Sequence, residues 1–145
     1  MPYSDLDALK SRLPEVNILS LTDDTDTQTI DEDRVAQAIA DADAIIDAHL
    51  CERYTVPLVS VPTYIQKISA DLAIYNLYSR KYESEMPKAM EKRYTNAIAE
   101  LKKIADGVTH LQDIDSDNGP VKPVTNKTNK SSCDRVFPGE ELARW

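Results

Sequence analysis

Apolar residues recur at helical spacing along the chain as far as Ile104, and there the spacing stops. Val35, Ile39, Ala42, Ile46 and Leu50 share one face when residues are placed about 100° apart. This predicts a long helix over residues 31–53, opened by Asp31, Glu32 and Asp33, whose charge suits a helix N-terminus. Pro62 restarts a helix to residue 82, carrying Ile65, Ile68, Leu72, Tyr75 and Tyr78. Pro87 opens the last one, with Met90, Tyr94, Ala97, Leu101 and Ile104 on one face and Gly107 as its stop. Upstream, Ser4 reads as the N-cap of a short helix to Arg12, and Pro14 starts a second short helix ending near Ser20. Residues 22–29 form a polar loop, and residues 54–61 a short extended connection containing Pro57.

These segments predict an all-α fold. Three long helices, each with an apolar stripe, can bury a common core as a small helical bundle, with the two short N-terminal helices capping one end. The bundle spans residues 1–107, and an extended C-terminal arm spans 108–145. The arm lacks periodicity, yet it carries the only Phe and the only Trp of the chain, Phe137 and Trp145. With nothing local to bury them, they read as anchors for another surface. Arg135, Val136 and Leu142 complete this expected partner-binding segment.

Only three glycines occur, Gly107, Gly119 and Gly139, all at or beyond the end of the last helix. The stretch before them therefore lacks a Gly-rich phosphate loop, a dinucleotide fingerprint and a nucleophile elbow. The net charge of −8 is unevenly spread. Residues 1–52 hold 13 acids and 3 bases, whereas residues 53–106 hold 6 acids and 9 bases. That polarity suits head-to-tail packing of identical subunits as well as it suits a plainly solvated surface. The overall acidity argues against tight binding to a phosphate backbone. The start of the chain lacks a basic, apolar leader, and no apolar run is long enough to span a bilayer, so a soluble protein made in a cytoplasm is expected.

Candidate chemistry is sparse. The loop from Asp23 to Asp33 is rich in oxygen ligands but fails as an EF-hand. Begun at Asp24, it puts Thr29 where Gly belongs and Val35 where the bidentate Glu belongs. Helix-capping carboxylates are the better reading. Cys51 and Cys133 form neither a disulfide framework nor a zinc pattern, and His49 and His110 lack metal-ligand spacing. Asp41, Asp43 and Asp47 read as a polar helix face. Asp71 lies inside the apolar arc of its helix, and Arg53 continues the stripe of the preceding one. An unpaired carboxylate there is costly, which predicts a structural ion pair between Arg53 and Asp71 inside the bundle. No catalytic residue, cofactor or metal site is expected, and the chain does not read as an enzyme.

Three stretches resemble the small head-completion or neck proteins of Mu-like phages and prophages. The first is Met1-Pro2-Tyr3-Ser4 through Asp7 and Leu9, leading to Leu21-Thr22-Asp23. The second is Ala40-Asp41-Ala42-Asp43-Ala44-Ile45-Ile46-Asp47, then Leu50, Arg53-Tyr54, Pro57-Leu58 and Val61-Pro62. The third is Arg93-Tyr94 with Ala97-Ile98, then Arg135-Val136-Phe137 and Trp145. The resemblance implies a virion protein at the head–tail junction: a head–tail connector forming a ring of about twelve subunits below the portal, through which DNA passes. It implies the portal protein, a tail-side connector or stopper protein, and other copies of itself as partners, with the arm docking on the portal or the next subunit. In this family some relatives carry a Gly-containing acidic loop, whereas this chain has Thr and Gln there. A small acidic regulatory or protein-binding module outside the virion is the alternative reading.

Overall fold

The computed structural model describes residues 1–24, 26–81 and 86–111. It contains the helices α1 (Leu6–Lys10), α2 (Glu15–Thr22), α3 (Glu32–Leu50), α4 (Thr63–Arg80) and α5 (Lys88–Ala105), with no strand among the described residues. The all-α bundle expected from the hydrophobic spacing is therefore the observed fold. The predicted arm beyond residue 111, with Arg135, Val136, Phe137, Leu142 and Trp145, lies outside the described residues.

α4 is the central element. Ile65, Ile68, Ser69, Ala70, Leu72, Ala73, Ile74, Leu77 and Tyr78 are all buried along it. They cover most of its circumference, as expected of a helix packed on several sides. α3 and α5 pack against it and against each other, while α1 and α2 close over the remaining flank. The stripe read from the sequence for α3 is buried as expected, with Ala38 added. In α5, Ala97, Leu101 and Ile104 are buried, and Met90 and Tyr94 are partly covered. Tyr94 stacks on Tyr75 with ring centroids 4.0 Å apart, joining α5 to α4.

The helix ends follow local chemistry. Asp31 caps α3 by accepting from the Arg34 N–H at 3.2 Å. α1 is capped by Asp5, which accepts from the Ala8 N–H at 2.8 Å, and not by Ser4 as its sequence position suggested. Ser4 is buried and its hydroxyl faces Ser69. α5 ends in a Schellman arrangement. The Val108 N–H donates to the Lys103 carbonyl and the Gly107 N–H to the Ile104 carbonyl, with Gly107 at φ +76°. The following chain is tied back to the body where the Leu111 N–H donates to the Tyr54 hydroxyl at 3.3 Å.

Arg53 reaches this helix end. A methyl group at residue 107 would lie 2.1 Å from Arg53 Nη1 and 2.7 Å from Cζ. Gly107 thus satisfies two demands at once, a left-handed backbone and room for a guanidinium. The cation also lies at the negative end of the α5 dipole. Gly107→Ala is expected to cost at least about 1–2 kcal/mol from backbone conformation alone. Displacement of Arg53 should add to that. Urea unfolding of Gly107→Ala in wild-type and Arg53→Ala backgrounds separates the two parts, with the smaller loss expected in the second.

Candidate functional site

Three polar assemblies interrupt the apolar body, and each has a different geometry. The first fastens the N-terminal segment. The Tyr3 N–H donates to Asp43 Oδ2 at 2.9 Å, and the Tyr3 hydroxyl donates to Asp47 Oδ1 in a short contact. The same hydroxyl accepts from the Leu58 N–H at 2.9 Å. Ser69 donates to Asp43 Oδ1 at 2.8 Å, so its single proton is committed, and Ser4, 2.8 Å away, must donate to Ser69. Residues from the N-terminus, α3, the connection before α4 and α4 itself thus share one network. Burial pushes the Tyr3 hydroxyl above the ordinary tyrosine range, and the hydrogen bond to Asp47 adds to this. Burial also raises Asp43, against the lowering effect of the hydrogen bonds from Tyr3 and Ser69.

The sequence placed Asp43 and Asp47 on a polar helix face with Asp41. Asp41 does face solvent, but Asp43 and Asp47 are turned towards the N-terminal segment. Their spacing of one helical turn, with a Tyr near the chain start, is the only signal that pointed there. An open cleft of about 800 Å³ runs beside this network, between residues 1–7 and the α3 face bearing Val35, Ile39 and Ala40.

The second assembly holds the acidic loop. Asp24 takes a two-pronged contact from Arg80, at 2.7 and 2.8 Å, and lies 3.0 Å from Arg34 Nη2. Arg80 also donates to the Leu21 carbonyl at 2.6 Å, and Lys81 donates to the Ser20 carbonyl. Asp23 accepts from the N–H groups of Thr27 and Gln28, at 3.0 and 2.7 Å, while Asp26 and Gln28 adopt positive φ. The carboxylates of the loop thus cap backbone and pair with arginines, and no metal-binding cluster occurs among the described residues. The Arg80 hydrogen bonds hold Asp24 down at about 2, below the ordinary carboxylate value.

The third assembly is a pocket of about 500 Å³ between α1, α4 and α5. Arg12, Lys67 and Arg93 line it with Asp71, Glu100 and Tyr64. Asp71 keeps only 10% of its side chain exposed and pairs with Arg12 Nη1 at 3.6 Å. This corrects the expected Arg53–Asp71 pair. Asp71 lies eight residues into α4, about 12 Å along its axis, where α1 packs. Arg53 follows the end of α3 and is drawn to Gly107 instead. The need of Asp71 for a cation was legible; which cation reached it depended on where α1 docks. Glu100 is bound by Lys103 at 2.7 Å and by the Tyr64 hydroxyl at 3.0 Å, which lower its pKa in that order. Nε of Arg12 and of Arg53 are both buried with no hydrogen-bond partner among the described residues.

The chain belongs to the family described as Bacteriophage Mu, Gp36, which matches residues 3–129. It is 29% identical over 100 residues to the Mu-like prophage FluMu protein gp36 of Haemophilus influenzae, covering 65% of this chain and 68% of that protein. It is 29% identical over 110 residues to Gene product J of Escherichia phage Mu, covering 75% of each. It is a Mu-like phage protein.

The two shifted aspartates give opposite pH signatures. Asp24 is depressed, so its contribution is present above the ordinary carboxylate value and is lost as pH falls towards about 2. NMR titration should find Asp24 at about 2 in the wild type, and nearer 3.8 in Arg80→Gln. Asp43 is raised, so its contribution is present at low pH and is lost as pH rises through its shifted value. The Asp43→Asn variant lacks this loss. Its unfolding midpoint relative to wild type should therefore rise as pH increases above the ordinary carboxylate range, measured by thermal melts.

Proposed function

We propose that this chain is a structural head–tail connector of a tailed bacteriophage. It acts as an adaptor or neck protein, forming a ring below the portal through which DNA passes. Membership of the Bacteriophage Mu, Gp36 family over residues 3–129 is the observation that carries this reading. The character of the body supports it. Its polar groups are used as clasps: Tyr3–Asp47 fixes the N-terminus, Asp24–Arg80 fixes the loop, and Arg12–Asp71 fixes α1. Each joins elements far apart in sequence and stiffens the body rather than presenting a reacting group. A rigid adaptor that transmits force between two larger assemblies needs that property.

The protein works without catalysis or a cofactor in this reading. Its partners are the portal protein, a tail-side connector or stopper protein, and further copies of itself, about twelve in a closed ring. The arm from residue 108 onwards binds the portal or the next subunit, with Arg135, Val136, Phe137, Leu142 and Trp145 as its contacts. Aromatic anchors suit that task because they bury much area with few rotatable bonds. DNA passes without specific binding, in keeping with the net charge of −8.

Quantitative mass spectrometry of purified infectious particles and of tail-less heads tests the reading. The chain is expected in the infectious particles at a stoichiometry close to that of the portal. Its absence from particles would leave a small acidic regulatory module acting outside the virion.

A further inference from the structure

We infer that the pocket between α1, α4 and α5 is the receiving half of a head-to-tail contact between copies of this chain. The inserting half is the acidic outer stripe of α3. The inference rests on the connector reading and names the surfaces that would close its ring.

The pocket has more positive charge than it uses. Of its three bases, only Arg12 is paired, and its partner Asp71 is the buried carboxylate at the pocket wall. Glu100, the other acid, is already bound by Lys103 and Tyr64. Lys67 and Arg93 are exposed and have no ion-pair partner among the described residues. Arg12 adds a buried Nε with no hydrogen-bond partner there. A guanidinium fixed by Asp71, with two exposed cations beside it, is a receptor for carboxylates. Asn96 supplies a further amide at the same wall.

The complementary surface lies on α3. That helix carries five acids against one base, whereas α5 carries five bases against two acids. Asp33, Ala36, Gln37, Ala40, Asp41 and Ala44 are all exposed and lie along one stripe at helical spacing. Asp33 and Asp41 have no ion-pair partner among the described residues, and Asp41 accepts only from Gln37 at 2.8 Å. Alanines between the two carboxylates leave room for another subunit to approach closely. Like charge along each face disfavours pairing α3 with α3 or α5 with α5. The two halves sit on different helices, so repeating the contact adds subunits in one direction until the ring closes.

Paired charge reversals in particles made by the phage that encodes this chain provide the test. The variants are Lys67→Glu with Arg93→Glu, Asp33→Lys with Asp41→Lys, and all four together. All four positions are exposed, and circular dichroism of the purified proteins checks that each variant folds. Each reversal alone should remove the chain from particles and abolish infectious titre. The fourfold variant, in which the charges are exchanged, should recover both. The proposal is overturned if either reversal alone assembles normally, or if the fourfold variant fails while folded. Loss confined to the Lys67 and Arg93 reversal, with no rescue, would instead assign these cations to another partner such as DNA. Absence of the wild-type chain from particles would sink the connector reading itself, an outcome distinct from failure of this interface.

Discussion

The burial of α4 on most of its circumference is the constraint on which the rest of the structure depends. A helix with one apolar face needs one partner; a helix buried at Ile65, Ile68, Leu72, Ile74 and Leu77 needs partners all round. Each such side chain contributes about 1.5–3 kcal/mol when fully buried. α3 and α5 alone leave a flank of α4 open. This explains why α1 and α2, too short to persist alone, fold over it and why Leu9, Ile18 and Leu21 are completely covered.

Short helices docked by a few apolar residues have little to fix their orientation, because hydrophobic contact is non-directional. The polar clasps supply direction. Asp43 and Ser69 place the N-terminal segment, the Arg12–Asp71 pair places the end of α1, and Arg80 with Lys81 grips the end of α2 and the loop after it. Breaking one side of such a cluster leaves a buried partner unsatisfied, which is more costly than the intact bond is worth. Several of these groups lie next to open space, in the cleft beside Tyr3 and in the pocket beside Arg12. Rigid walls around such openings hold their charges in fixed positions for whatever docks there.

The proposed connector role requires a body that is stiff inside and specific at its faces. The first property follows from the apolar centre and the clasps. The second follows from uneven charge: acids concentrate on α3 and bases on α5, and neither set is neutralised within its own helix. Surface charge of this kind contributes little to the stability of a single chain; its general effect is on the orientation in which charged surfaces meet.

Helix identity was legible because it depends on local spacing and local caps. The stripe from Val35 to Leu50, the acids at residues 31–33 that open the helix and Gly107 as a stop are readable from a few neighbouring residues, and the observed helices match them. The failures involved partners distant in sequence. Ser4 looked like a cap because a cap is the local use of a serine, yet it hydrogen-bonds across 65 positions to Ser69, and Asp5 does the capping. Asp71 announced its need for a cation, but Arg12 and Arg53 were both available, and only the docking of α1 on α4 decided between them. Asp43 and Asp47 looked solvated until Tyr3 was brought against them from 40 and 44 residues away. The sequence by itself determined which segments are helical, which faces are apolar and where charge accumulates, since these depend on residues within a turn of one another. Only the tertiary structure decided which buried polar groups meet, because that depends on how the helices pack, and many pairings fit the same pattern of faces.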